Sequence, residues 1–176
     1  RDLDWNVFSD SRSADARWIP PPEGVFKINV DASLPKSGFV GIGLMVRDHG
    51  GKIIMTKQES TLASWDPAVA EAHAVLASLT FAKDYGWNAI HIEYDFLNII
   101  NALNTNDFGL QSFDFLIRKI QSLSCSFAVC SFKFTKRQGN EATHHLASHC
   151  VYGETHLWLD CFPSWMLDLV TRDLRD

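Results

Sequence analysis

Three acidic residues lie in settings where a carboxylate needs a partner. Asp31 ends a strand-like apolar run at 26–30, and Asp95 ends a second run at 89–94. Glu71, 40 residues after Asp31 and 24 before Asp95, lies in a small-residue helical stretch. Removing a carboxylate from water is costly unless it is paired. Mg²⁺ is a hard cation that carboxylate oxygens bind well, so these residues indicate divalent-metal chemistry if the fold brings them together.

The elements that must position these acids are strands followed by alternating helices and strands. Strand patterns cover 25–33, 39–47 and 52–61, and the turn signal at 48–51 joins the last two, so we expect three antiparallel strands. We then expect helices at 66–85, from Asp95 with Leu97, Ile100 and Leu103, at 113–123 and after Asn140, and strands at 89–94 and 124–134. This order predicts an α/β fold with a five-stranded mixed sheet, three antiparallel strands then two parallel ones, flanked by helices.

The connection between the first and fourth strands predicts where the acids lie. A strand–helix–strand crossover is right-handed and makes those two strands parallel neighbours. Asp31 and Asp95 would then end adjacent strands on the same side of the sheet. Glu71 lies about one turn into the intervening helix and can lean toward that edge.

Composition limits the class of protein. The 176 residues are 46% hydrophobic and 12% aromatic, which predicts a globular chain with one sizeable core. We expect an N-terminal arm at 1–24, a domain at 25–150 and an apolar tail at 151–176 that packs on the domain. The net charge of −5 argues against strong non-specific polyanion binding. It does not exclude an enzyme that binds nucleic acid through a local cleft and metal ions.

The cysteines and the apolar runs predict an intracellular protein. The four cysteines form no CxxC pair, which favours reduced thiols and a location in the nucleus, the cytoplasm or an organelle rather than secretion. The sequence has no run of 18 apolar residues, so we expect no membrane partner. Because the chain begins at Arg1 without Met, we interpret it as a piece of a longer protein.

Several motifs, in order, resemble the type 1 ribonuclease H fold. Residues 27–33 are similar to its first-strand motif, 41–51 to its glycine-containing second strand and turn, 70–72 to its helix glutamate and 93–95 to its second aspartate. The lead-in at 18–21 and the Arg-x-x-Asn segment at 137–140 resemble the plant, retrotransposon reverse transcriptase-associated branch. The resemblance covers residues 18–150, and the tail more weakly.

The resemblance implies a metal-dependent endoribonuclease that cleaves the RNA strand of RNA–DNA hybrids. It implies two Mg²⁺ or Mn²⁺ ions with substrate, held by Asp31, Glu71, Asp95 and His144 as catalytic and metal-binding residues. Asp31 would bridge both ions, Glu71 and Asp95 would complete the leaving-group site, and His144 would help to hold the ion on the nucleophile side. The implied partner is an RNA–DNA hybrid or another nucleic acid, and we expect a monomer.

The chain departs from the family pattern at three places. His144 stands where the family has a fourth carboxylate, and Phe134 where it often has a histidine. The loop at 104–110, where some members carry a basic handle, has no Lys or Arg. A neutral imidazole is a softer ligand without charge, so we expect a weakened metal site, with activity that is reduced or that favours Mn²⁺.

Other interpretations remain open from the sequence. The same fold could serve as a non-catalytic nucleic-acid-binding or protein-interaction module, or as another acid-cluster enzyme such as an exonuclease or strand-transfer enzyme. Asp31 and Asp95 could only cap a turn and a helix, Glu71 and His144 could be solvated helix residues, and Glu141 could replace His144. Lys136 and Arg137 could touch phosphate or lie in a solvated loop, while His145 and His149 have zinc spacing but no evident third ligand.

Overall fold

The structure is a computed structural model that describes residues 18–34, 38–96, 99 and 111–173. Its strands are β1 Phe26–Ser33, β2 Phe39–Arg47, β3 Ile53–Leu62, β4 Ala89–Tyr94, β5 Val129–Phe134 and β6 Thr155–Leu159. Its helices are α1 Pro67–Asp84, α2 Gln111–Ser124, α3 Glu141–Ser148 and α4 Leu167–Asp173, with 3₁₀ turns at Arg137–Asn140 and Ser164–Met166. No helix in these ranges is both long and apolar enough to cross a membrane.

The strands form one mixed sheet in the order β5-β4-β1-β2-β3-β6. The pairing is antiparallel between β1 and β2, between β2 and β3, and between β3 and β6. It is parallel between β1 and β4 and between β4 and β5. The predicted mixed α/β sheet is therefore confirmed, and so is the parallel pairing of the first and fourth strands. The strand count of five was wrong, because the tail adds β6 at the free side of β3. β6 has only five residues, and its apolar side chains were interpreted as packing residues rather than as a paired strand.

Helix α1 covers one face of the sheet because its cap and its apolar positions direct it there. Asp66 Oδ1 accepts a hydrogen bond from the Val69 N–H at 3.0 Å, and Pro67 occupies the first turn. The buried side of α1 packs on every second residue of β1, namely Ile28, Val30 and Ala32. The odd-numbered residues of β1, which include Asp31, therefore point to the opposite face of the sheet.

Helix α3 packs on that opposite face and approaches β2 very closely. A Cβ added to Gly43 would lie 2.5 Å from the Ala147 nitrogen and 2.7 Å from the Leu146 Cβ. A Cβ added to Gly41 would likewise meet the Ala147 carbonyl oxygen of α3, and the Cβ of Cys150 just after the helix at 3.0 Å. The two glycines of β2 therefore form the surface on which α3 lies, and they set its distance from β1.

The C-terminal segment completes a second apolar cluster on this face. Met166 and Val170 are buried against Leu146 of α3 and against Met45 and Ile53 of the sheet. Trp158 of β6 packs at the edge of the same cluster. The segment after residue 150 therefore stabilises α3 through this apolar cluster.

Two predicted elements differ from the structure or lie outside its described part. The fifth strand was predicted from Ser124, but α2 runs to that residue and β5 begins at Val129. The Ser126 and Phe127 N–H groups bond back to the carbonyls of Leu123 and Ser124, which makes this apolar stretch a turn. The helix predicted from Asp95 with Leu97, Ile100 and Leu103, and the loop at 104–110, lie outside the described residues, apart from the buried Ile99 and a bend at Asp95.

The end of the N-terminal arm docks on the sheet through Trp18. This side chain is buried, and the centre of its ring lies 5.3 Å from the Lys27 ammonium and 4.8 Å from the Arg47 guanidinium. Lys27 also donates to Glu93 Oε1 at 2.6 Å in a buried ion pair. Trp5, the other tryptophan of the arm, lies outside the described residues.

Candidate metal centre

Three carboxylates from three different elements meet at one edge of the sheet. Ligand oxygens of Asp31, Glu71 and Asp95 all lie within 4.8 Å of one another. Asp31 belongs to β1 and Asp95 follows β4, and the parallel pairing of these strands places both at the same edge. Glu71 reaches the edge from α1 and is buried there. The structure therefore brings together three of the four residues predicted for the site.

Burial and mutual repulsion make this cluster unfavourable when all three acids are ionised. Burial, and then the neighbouring Asp31 and Asp95 charges, raise the pKa of Glu71 to about 9. Burial and the Asp95 charge raise the pKa of Asp31 to about 6, although its contact with His144 opposes the shift. Shifts of this kind are expected where carboxylates are gathered for a cation.

Two oxygens of the cluster fit a metal ion because no N–H or hydroxyl group satisfies them. Asp31 Oδ1 and Glu71 Oε2 are buried and accept no hydrogen bond from an N–H or hydroxyl donor of the described residues. Without a metal, the carboxyls of Glu71 and Asp31 can only share a proton between them. A buried unpaired carboxylate oxygen is costly, and Mg²⁺ and Mn²⁺ prefer such oxygen ligands. The donor set of Asp31, Glu71 and Asp95 therefore fits a hard divalent cation.

His144 lies beside the cluster but is not a member of the group of three ligand residues. Its Nδ1 is 2.7 Å from Asp31 Oδ2 and its side chain is 30% exposed. It lies in the first turn of α3, where the glycine surface of β2 holds the helix near β1. The structure thus places His144 next to Asp31, on the side away from Glu71's helix.

Arg137 brings a positive charge into the site, a contact that the sequence interpretation missed. Its Nη1 donates to Asp95 Oδ2 at 3.0 Å, and its Nη2 lies 2.8 Å from Nε2 of His144. The Asp95 side chain is 8% exposed, whereas that of Arg137 is 58% exposed. The sequence carried no spacing signal for this contact, because Arg137 lies in the 3₁₀ turn that precedes α3 and not in the helix of His144.

Asn140 fixes the start of α3 over Asp31's strand. Its Nδ2 donates to the Val30 carbonyl at 2.9 Å, and its Oδ1 accepts from Asn29 at 3.2 Å and from the Thr143 hydroxyl at 2.6 Å. Asn140 holds the N-cap position of α3, as predicted, but its side chain makes no capping bond to the helix backbone. It connects α3 to β1 instead, which positions His144.

The other residues considered from sequence lie outside the group of three acids. His149 stacks on Trp165 at 4.3 Å, and His145 Nε2 is 3.9 Å from Glu141 Oε1. Within the described ranges, no set of three ligands that could hold a metal includes His145 or His149. Phe134 is half-buried at the end of β5, and Lys136 is exposed.

Comparison with known proteins assigns the fold and the family. The family model described as reverse transcriptase-like matches residues 29–150, which is more than half of the chain. A search of curated proteins gave no match. The matched span begins within β1 and ends just after α3, so it contains the carboxylates, Arg137 and His144.

Solved structures with the same fold include ribonucleases H and a viral reverse transcriptase. RNase H1 from Halobacterium salinarum aligns with a TM-score of 0.66 at 20% identity, over 70% of this chain and 95% of that one. LC11-RNase H1, solved in complex with an RNA/DNA hybrid, aligns with a TM-score of 0.64 at 16% identity, over 72% and 96%. The protease–reverse transcriptase of prototype foamy virus aligns with a TM-score of 0.55 at 14% identity, over 72% of this chain and 21% of that one.

The fold is ribonuclease H-like, and three acids that could hold a metal lie at one edge of its sheet. The chain belongs to the reverse transcriptase-like family. The predicted resemblance to type 1 ribonuclease H is therefore confirmed.

Proposed function

We propose that the protein is a metal-dependent endoribonuclease that cleaves the RNA strand of RNA–DNA hybrids. The observation that carries the proposal is the buried group of Asp31, Glu71 and Asp95, with two carboxylate oxygens that receive no hydrogen bond from an N–H or hydroxyl group of the described residues. Support comes from the ribonuclease H-like fold and from LC11-RNase H1, which was solved with an RNA/DNA hybrid.

In this proposal each residue of the site has a defined part. Asp31, Glu71 and Asp95 would hold divalent metal, which would supply an activated water and offset negative charge on the leaving 3′ oxygen. Asp31 is fixed by His144, and Asp95 by Arg137. Arg137 is more than half exposed, so its guanidinium can also contact a phosphate oxygen of the substrate.

A positive charge at the site is needed because the protein as a whole repels nucleic acid. Its net charge is −5, and three carboxylates lie at the proposed reaction centre. A cation bound there also favours the ionised forms of Glu71 and Asp31, which burial disfavours. Hybrid binding and cleavage should therefore both depend on a divalent metal.

The direct test is cleavage of a labelled RNA–DNA hybrid with Mg²⁺ and with Mn²⁺. We expect Asp31→Asn to lose at least about a hundredfold in rate, because it removes a ligand from the centre of the group. Asp84→Asn is the matched control, since Asp84 is exposed at the end of α1 and should leave the rate unchanged. A wild-type protein that is inert with both metals would contradict the proposal.

A second candidate function is a non-catalytic module that binds nucleic acid or protein on the same fold. It is favoured by His144, whose ring is already bonded to Asp31 and Arg137 in a position where the family has a carboxylate. A wild type that binds hybrid without cutting it, together with a His144→Asp variant that cuts, would assign this function and a degenerate ribonuclease H ancestry.

A further inference from the structure

The side of the site that faces α3 is occupied by an arginine rather than by a fourth acid. Arg137 donates to Asp95 Oδ2 through Nη1 and reaches His144 through Nη2, so its guanidinium joins an acid of the cluster to the histidine. The 3₁₀ turn that carries Arg137 leads directly into α3. Asn140 connects this segment to β1, which gives the guanidinium a defined position.

The ring of His144 is in contact with both an acid of the cluster and the guanidinium. Its Nδ1 lies 2.7 Å from Asp31 Oδ2. Arg137 Nη2 lies 2.7 Å from the same Nδ1 and 2.8 Å from Nε2, so the guanidinium rests against the ring between its two nitrogens. The ring nitrogen beside the acids is therefore already in contact with Asp31 and Arg137, and His144 holds these two side chains in position.

The formal charges of the site balance with one divalent ion. The carboxylates of Asp31, Glu71 and Asp95 carry three negative charges when ionised, and Arg137 carries one positive charge. One divalent ion brings the sum to zero, whereas two ions leave two uncompensated positive charges beside Asp31, which is fully buried. A site with four carboxylates and no arginine reaches neutrality with two ions.

We propose that the site holds one divalent cation, bound by Asp31, Glu71 and Asp95, and that Arg137 supplies the positive charge that a second ion brings to a four-carboxylate site. The inference rests on the proposed metal site and deepens it by fixing the number of ions. His144 is in this view a positioning residue, which holds the guanidinium against the cluster. The exposed part of Arg137 then faces the substrate phosphate in place of a second metal.

The test counts bound ions instead of measuring activity. Mn²⁺ is titrated into the full chain, and bound ions are counted by electron paramagnetic resonance and by calorimetry. We expect one ion for the wild type, and two for the double variant Arg137→Gln/His144→Asp, which removes the guanidinium and restores a fourth carboxylate. Arg137→Gln alone should keep one ion and tighten its binding about tenfold, because a nearby like charge is removed.

The matched control is Lys136→Gln, alone and combined with His144→Asp. Lys136 is the adjacent exposed cation and makes no bond to the three acids in the described part of the chain. Its loss should change neither the number of ions nor their affinity. Thermal unfolding of each variant without metal checks that a change in ion count does not come from a fold that has been lost.

Two results would overturn the inference. One is a wild type that binds two ions of similar affinity, or none, and the other is an Arg137→Gln variant with unchanged or weaker binding. Both are distinct from failure of the proposed function. A wild type that binds one ion but does not cleave the hybrid would contradict the nuclease function and support the one-ion site. A wild type that binds two ions and cleaves the hybrid would support the nuclease function and contradict the one-ion site.

Discussion

Among single residues, Glu71 should dominate how stability changes with pH when no metal is bound. Its folded-state pKa of about 9 lies above its ordinary value of 4.5, so the folded state holds a proton that the unfolded state has released. The contribution of Glu71 to the free energy of unfolding is therefore fully present below about pH 4.5, and it is lost as the pH rises toward 9. Glu71→Gln should flatten this decline, as measured by urea unfolding in the presence of a chelator.

The control for this prediction is Glu23→Gln, an exposed acid outside the cluster. It should leave the decline with pH as steep as in the wild type. Adding Mg²⁺ should raise stability most at high pH, because a cation favours the ionised carboxylates. An identical pH profile for Glu71→Gln and wild type would show that the Glu71 carboxyl is not desolvated as the structure indicates.

The sequence was sufficient to predict the site residues that strand pairing positions. It was not sufficient for the residues that side-chain contacts position. Asp31 and Asp95 could be placed together because parallel neighbouring strands end at the same edge of a sheet. Arg137 could not be assigned to Asp95, since that contact depends on how a short 3₁₀ turn lies across the edge. The sequence also predicted His144 as a metal ligand and did not predict its contact with Arg137. Counting the bound ions will test whether His144 is a ligand.

Among the elements, the packing of α3 on β2 should be the most sensitive to a small change. Gly43→Ala places a methyl group against backbone and Cβ atoms of α3, with the Ala147 nitrogen at 2.5 Å. We expect a loss of about 3 kcal/mol in the free energy of unfolding, since overpacked sites cost about 1–3 kcal/mol and backbone atoms yield little. Chemical denaturation measures the effect, and hybrid cleavage should fall with it as His144 and Arg137 are displaced.

Gly50→Ala is the matched control within the same hairpin. Its added methyl group would meet only Asp48 Oδ1 at 3.4 Å, an ordinary contact at an exposed turn. Its effect on stability should be small. Equal losses from the two substitutions would mean that α3 does not rest on Gly43.

Elements with a local signal were predicted well, and those that depend on distant partners were not. Helix α1 follows from its Asp66 cap and Pro67, and the turn before β3 follows from Asp48, whose side chain accepts from the Gly50 N–H at 2.9 Å. β6 gave no such signal, because its five residues become a strand only by pairing with β3. The start of β5 was misplaced for the same reason, since apolar content alone does not separate a turn from a strand.

For the molecule as a whole, the segment after residue 150 should contribute substantially to stability. Met166 is fully buried in the cluster that joins α3, α4 and the sheet. Met166→Ala should cost about 2–5 kcal/mol, the range for a large-to-small change in a core. Urea unfolding gives the value, and Leu167→Ala is the control because Leu167 is 58% exposed and should cost much less. Similar small losses for both would show that this segment packs only loosely.

The contact between Asp31 and His144 joins positions 113 residues apart in the chain. During synthesis, Asp31, Glu71 and Asp95 leave the ribosome well before Arg137 and His144, so the acids can meet before their arginine and histidine exist. Contacts of such long sequence separation also form slowly in refolding. The site is therefore completed last by Arg137 and His144, the two residues that distinguish it from a four-carboxylate site. A nascent chain that stalls before residue 137 would contain the three acids without the guanidinium.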